Sequence, residues 1–318
     1  LLPSLEKELS ELRTDALGYL LGEYANAGWQ PLYVAELHRR AAAHKLRPVG
    51  TATLPELFEE LLPEGLRERV QQEANPMLRE TLIDLACARA FRRDLFARGC
   101  CRLSPDAWRR RLGAIRLRRR DLRPRKDWVF STSFSELSVP AAVCTALEGA
   151  LDQGPRTVLE LADSIGQPPV EVVRLAALLL HDERLGLDRG EAGLRAQGDC
   201  ERVNTRLLRL MGEGRPYTNV AVASLGGGIS LSHLEALCCL APGQGPLGSA
   251  EGRWLLGRLE ELGIQLRDQD GRPLKAGYAS LEDVLNLTDT FQRERLPSLQ
   301  ELGVFLARFP SRSHGDPS

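Results

Sequence analysis

Glu80 and Asp84 stand four residues apart in ETLIDLACARAFRRDL (80–95), a spacing that puts two carboxylates on one face of a helix. Such a pair could share acid–base work. Arg92 and Arg93 follow two to three turns later, however, and a lattice of ion pairs is the commoner use of that pattern. His38 and His44 lie six apart, off the i, i+4 spacing of a helical metal pair, with no Cys or carboxylate beside them at ligand spacing. They read as surface or capping histidines. In NVAVASLGGGISLSHLEAL the order is strand, Gly226-Gly227-Gly228, then helix, which imitates a nucleotide loop. Its glycines miss the G-x-G-x-x-G spacing, so a turn before a capped helix is the better reading. There is no G-x-S-x-G, H-E-x-x-H or P-loop. The sequence thus offers no catalytic, cofactor-binding or metal-ligating set.

The seven cysteines include the adjacent pairs Cys100-Cys101 and Cys238-Cys239 and form no C-x-x-C. Adjacent cysteines bridge only under strain. Free thiols, packed as small apolar groups in a reducing cytoplasm, are expected.

A second chemical signal is the basic run from Arg89 to Lys126, with fifteen Arg or Lys against three Asp. Arg109, Arg110 and Arg111, then Arg118, Arg119 and Arg120, are its densest parts. Such a surface could release counterions from a nucleic acid, with Trp108 and Trp128 available to stack on bases. The competing reading sets these arginines in solvent or against acidic surface elsewhere, since the rest of the chain is acidic by difference.

The elements that must carry these groups read as mainly helical. Apolar periodicity predicts helices over 4–22, 31–44, 55–62, 65–74 and 76–98, the last opened by Asn75-Pro76, and a short one from Ser104-Pro105 to Leu112. AIRLRRR and WVFSTSF alternate like strands, which predicts a two-stranded ribbon across 121–126. Helices over 139–152, 157–165 and 168–181, followed by the extended 184–188, give the order of a winged helix. Its third helix offers Glu171, Val172 and Val173 with a single Arg174, a poor surface for reading bases. Further helices are predicted near 201–213, 230–240 (capping box Ser232 to Glu235), 249–262, 280–287 and 298–308, with a hairpin over 264–276. The expected domains are a helical one over 1–112, a ribbon and winged-helix-like one over 113–200, and a helical C-terminal one over 201–318.

At 318 residues, 43% hydrophobic and 27% charged with a net charge of −1, the chain has globular composition and room for two or three domains. No apolar run is long enough to span a membrane. The acidic, amphipathic start is unlike a secretory signal. A first residue of Leu rather than Met leads us to expect an excised or processed piece with something upstream.

EYANAGWQPLYVAELHRRAAAHKLRPVGTA (23–52) resembles the start of the methyltransferase regulatory domain, an accessory region that follows the S-adenosylmethionine-binding domain in a group of bacterial methyltransferases. That group includes the outer-membrane-protein lysine methyltransferases. Glu23, Tyr24, Pro31, Tyr33, Glu36, His44 and Leu46 carry the match, while Gly22, Lys45 and Pro48-Val49 depart from it. ETLIDLACARAFRRDLF is similar to the family's second motif through Glu80, Asp84, Arg89, Phe91 and Arg92, departing at Thr81 and Leu85. Tyr217-Thr218-Asn219 resembles a third, weaker point.

The resemblance implies a non-catalytic, substrate-engaging region acting through protein–protein contacts, in the cytoplasm. The S-adenosylmethionine would sit in a catalytic domain lying upstream or on another chain. A protein substrate would be its object; nucleic acid, bound through 109–126, is the alternative. Glu23, Tyr24, Tyr33, Glu36, Arg89, Phe91 and Arg92 are expected to form one cluster of ion pairs and rings, since buried ions must be mutually paired.

Overall fold

Two units divide the chain, and the second takes a short piece out of the middle of the first. The computed structural model describes residues 21–22, 27–28, 30–89, 91–99, 101–241, 249–264 and 281–304. One unit comprises residues 1–52 and 62–101; the other comprises 53–61 and 102–318. Both are mainly helical with small antiparallel sheets.

In the first unit, helix α1 (Val34–Ala43) runs into strand β1 (Arg47–Thr51), which pairs antiparallel with β2 (Asp94–Ala97). The register shifts between Pro48 and Gly50, where Pro48 has no N–H for the ladder. Helices α2 (Glu64–Gln72) and α3 (Pro76–Ala86) fill the interval. The Asn75 side chain caps α3 by accepting from Met77 N–H at 3.0 Å. The helix predicted to reach residue 98 stops twelve residues short. Ala88 takes φ +47°, and the Arg89 N–H closes on Asp84 O, so the chain turns back and returns as β2. The spacing of Phe91, Leu95 and Phe96 fits a helix, but strand pairing with β1 overrides it.

The second unit begins with a 3-10 stretch, Leu54–Leu57 and Glu59–Leu61, where Pro55 is buried. After α4 (Pro105–Leu112), N-capped by Ser104, β3 (Arg116–Arg119) becomes the middle strand of three. It lies between β6 (Arg156–Thr157) and β7 (Leu185–Leu187), antiparallel to both. The predicted ribbon is therefore corrected: β3 does not pair with the WVFSTSF strand. That strand, β4 (Val129–Ser131), makes a separate hairpin with β5 (Glu136–Ser138). Helices α5 (Ala141–Ala150), α6 (Val158–Ile165) and α7 (Pro169–His181) pack on these strands. The resulting core holds Leu117, Phe130, Leu147, Leu161, Leu179 and Leu185 at near-zero exposure. A Thr157–Glu160 capping box starts α6, and Gly166 ends it in the left-handed conformation.

Helix α8 (Gly190–Gly212) is eleven residues longer at its start than the periodicity suggested. Gly193 explains why: a Cβ there would meet Ala223 O at 2.8 Å, so the helix needs a glycine to pass the neighbouring hairpin. That hairpin, β8 (Asn219–Val222) with β9 (Gly227–Ser230), contains the triple glycine. Gly226 sits in the turn at φ +63°, while Gly227 and Gly228 pair with Val222 and Ala221. Their backbone is used by the ladder, consistent with a turn. The expected capping box of Ser232 and Glu235 opens α9 (His233–Leu240).

Helices α10 (Ser249–Glu261), α11 (Leu281–Thr290) and α12 (Leu296–Glu301) complete a second core around Met211, Ile229, Leu237, Leu255 and Leu299. A π-helical turn, Phe291–Arg295, joins α11 to α12. Pro297 lacks the N–H that would continue the regular ladder there. The predicted helix over 4–22 and the hairpin over 264–276 fall mostly outside the described residues.

Candidate functional site

The second motif folds into a network in which Arg92 spans three carboxylates. Its Nη2 donates to Glu80 Oε2 at 2.7 Å, its Nη1 to Asp84 Oδ1 at 2.6 Å, and its Nε to Asp94 Oδ2 at 2.9 Å. Arg89 Nη1 donates to the same Asp84 oxygen at 3.0 Å. Glu80 and Asp84 come from one turn pair of α3, and Asp94 opens β2, so Arg92 ties the helix to the strand. Burial pushes the Asp84 carboxyl up from its ordinary value, while Arg92 and Arg89 pull it down. Arg92 is held above its ordinary value by Asp94, Glu80 and Asp84, which outweigh its burial. Each of the three carboxylates is engaged by the guanidinium that joins α3 to β2, so the geometry favours a structural role.

Beside the network, His38 Nε2 approaches Asp94 Oδ2 at 3.8 Å, and the His38 ring meets Phe96 edge-on at 5.6 Å. His38 is buried, which corrects the surface reading; α1 turns it toward β2, on the face it shares with Val34. His44 is exposed at the C-cap of α1, and its carbonyl accepts from Arg98. Asp94 and His38 were absent from the expected set. The only hint for Asp94 was its place two residues after Arg92.

The other residues of the expected cluster are placed separately. Glu36 pairs within its own helix, with Arg39 and with Arg40 Nε at 2.8 Å, and these bonds hold its carboxyl below the ordinary value. Tyr33 and Phe91 are each 72% exposed, and Pro31 is exposed too. Glu23 and Tyr24 lie outside the described residues.

In the second unit the arginine-rich strand meets carboxylates at nearly every step. Arg118 Nη1 is 3.3 Å from Asp188, Arg119 reaches Asp152 at 2.5 Å and Glu148 at 3.4 Å, and Arg120 is 3.1 Å from Glu183. Arg123 chelates Asp121, and Arg125 pairs with Asp182. Beneath them Arg184 donates to both oxygens of Glu148, at 2.8 and 2.9 Å, with its guanidinium 5.7 Å from the Trp128 ring. Arg109, Arg110 and Arg111 stand exposed on α4. Trp128 is buried and packs on Phe130, which removes it as a stacking platform; Trp108 is 39% exposed. Among the described residues no three His, Cys, Asp or Glu gather as a metal site. Nor is any described helix long and apolar enough to cross a membrane. Burial pushes the Cys144 thiol up to about 11 and Cys238 up to about 12, so both are inert at neutral pH.

Comparison with known proteins adds two likenesses and a family. An uncharacterized protein of Synechocystis sp. is 24% identical over 317 residues, covering 95% of this chain and 60% of that protein. PKMT2 from Rickettsia typhi, solved in complex with AdoHcy, superposes over 95% of this chain and 62% of its own, with a TM-score of 0.51 at 13% identity. A second structure of PKMT2 gives a TM-score of 0.50 at 12% identity over 63% of its length. The chain therefore spans about three-fifths of the proteins it matches. Residues 17–98, which carry both motifs described above, match the model of the predicted methyltransferase regulatory domain, the family that those motifs resembled.

Proposed function

We propose that this chain is a non-catalytic, substrate-engaging region of an S-adenosylmethionine-dependent methyltransferase, acting through protein–protein contacts in the cytoplasm. Its catalytic domain would lie upstream of Leu1 or on another chain. The observation that carries the reading is coverage. Nearly all of this chain aligns with only 62% of a structure that holds AdoHcy, and its residues 17–98 match a regulatory domain. The clamped carboxylates of the second motif support an architectural role for that domain. The order α5, β6, α6, α7, β7 around the central β3 supports a winged-helix-like middle region suited to packing against protein. A protein is the proposed methyl acceptor.

Calorimetric titration of S-adenosylmethionine tests this. The chain alone should give no saturable heat, and a longer protein that includes a catalytic domain should bind. Saturable binding by this chain alone would overturn the reading. The nucleic-acid alternative loses support from the ion pairs that engage the Arg116–Arg125 stretch and keeps only the exposed Arg109, Arg110 and Arg111 beside Trp108.

A further inference from the structure

Helix α3 is folded the wrong way round for a finished surface. Leu78, Leu82 and Leu85 recur at steps of four and three along one side of it, and they are 47%, 38% and 65% exposed. On the other side Glu80 and Asp84 are drawn in toward Arg92, and Ile83 is buried. An amphipathic helix on a self-sufficient unit turns its leucines in and its carboxylates out. The rest of the first unit leans the same way. Among its described residues, Val34, Leu62, Val70 and Ile83 are the large hydrophobic ones that are buried, and more are exposed than that.

The spacing indicates what kind of surface would complete this side. Steps of four and three are those of a seam between two packed helices. Thr81 and Ala86 flank the stripe, so a second helix could cover it without burying a charge. The size indicates how that helix is delivered. An eleven-residue helix is about 16 Å long and about 10 Å wide, so one face offers about 160 Å². Two free molecules need about 800 Å² each for a stable contact. A partner tethered on the same polypeptide meets the face at an effective concentration in the millimolar range, where a far smaller patch suffices. About two-fifths of each matched protein lies outside the stretch that this chain covers, which supplies such a partner.

We propose that the outer side of α3 is the seat of the S-adenosylmethionine-binding domain of the same polypeptide, which lays an apolar helix along Leu78, Leu82 and Leu85. Arg92 ties the inner side of α3 to β2, so a domain seated on the outer side is fixed to the whole sheet-and-helix unit behind it. The proposal rests on the methyltransferase reading and adds to it the surface by which the two parts hold together.

Hydroxyl-radical footprinting, read side chain by side chain by mass spectrometry, compares this chain with a longer protein that includes the catalytic domain. Oxidation of Leu78, Leu82 and Leu85 should be severalfold lower in the longer protein, by the same factor at every protein concentration. Leu82→Glu in the longer protein should raise Leu78 and Leu85 to the level of this chain alone, while Leu82→Met should keep them protected. In this chain alone Leu82→Glu should leave the thermal midpoint unchanged, since that side chain already meets water. A fall there would place Leu82 in the unit's own packing and overturn the proposal. Three further results would also overturn it: equal oxidation in both proteins, protection that survives Leu82→Glu, or protection in this chain alone that grows with its concentration, which would seat a second copy on the face. Titrating S-adenosylmethionine into the same samples separates the two claims. Binding by the longer protein with its leucines still oxidised rejects this seat and leaves the methyltransferase reading intact, whereas binding by this chain alone rejects both.

Discussion

Each unit is braced by an arginine set among carboxylates, and the two braces stand on different ground. Arg184 lies over Trp128 and above a core whose large side chains are almost wholly hidden. Arg92 has a smaller apolar base. The buried hydrophobic residues described in its unit are Val34, Leu62, Val70 and Ile83, while Leu85 and Phe91 face solvent. An ion pair over a well-packed core fixes geometry that hydrophobic burial already stabilises. The Arg92 network must itself join α3 to β2, so its unit depends on charge to a greater degree.

The sharpest way to break the comparison begins with Arg184→Ala. It removes both hydrogen bonds of Arg184 to the buried Glu148, leaving that carboxylate only Arg119 at 3.4 Å, and should cost about 3 kcal/mol by denaturant unfolding. Replacing Arg184 by Met and Glu148 by Leu together should recover most of that loss, because the packed surroundings accept apolar volume. Arg92→Ala should cost about 3 kcal/mol, and an added Asp84→Asn should recover little, since Glu80 and Asp94 stay behind. Equal thermal shifts for Arg92→Ala and the exposed control Arg110→Ala would refute a bracing role for Arg92; the control should lie within about 0.5 kcal/mol of the parent.

Acid sharpens the contrast. Burial raises the Asp121 carboxyl, but the hydrogen bonds from Arg123 outweigh it and leave its value lowered. Its contribution is complete above the unfolded value near ~3.9 and is lost as pH falls through the folded one. Asp121→Asn should therefore flatten the loss of stability below about pH 4 in thermal scans. Glu148, raised by burial, works with the opposite sign, its contribution fading as pH rises through its folded value. The smallest effect is expected for Glu36→Gln, a shift in thermal midpoint no larger than that of the exposed Arg110→Ala control, because its partners lie on the surface of its own helix.

The parts of this molecule that were legible in the sequence are those fixed by local chemistry. Asn75-Pro76, Ser104-Pro105 and Ser232 with Glu235 announce helix starts because their side chains bond to backbone within three residues. Strand partners were not legible. β3 pairs with Thr157 and Leu187, far along the chain, and alternation says that a strand exists without saying what it meets. The break after α3 was hidden because Phe91, Leu95 and Phe96 keep a helical spacing, while the positive φ at Ala88 falls on a residue that seldom adopts it. The motif residues Glu80, Asp84, Arg89 and Arg92 could be picked out by type. Asp94 and His38, which complete their surroundings, could not, since their relevance appears only when β2 comes back beside α1.

The loan of residues 53–61 to the second unit bears on how the protein can be dissected. Leu61 packs on that unit's core, and Glu60 holds Arg174 on α7 at 2.9 Å. A recombinant fragment trimmed to the family boundaries would carry this loop away from its seat and expose a greasy, protease-sensitive tongue. The complementary fragment, starting at residue 102, would be left with an empty socket. A cut that respects both halves replaces 53–61 by a short glycine-rich bypass in the first fragment and supplies 53–61 to the second.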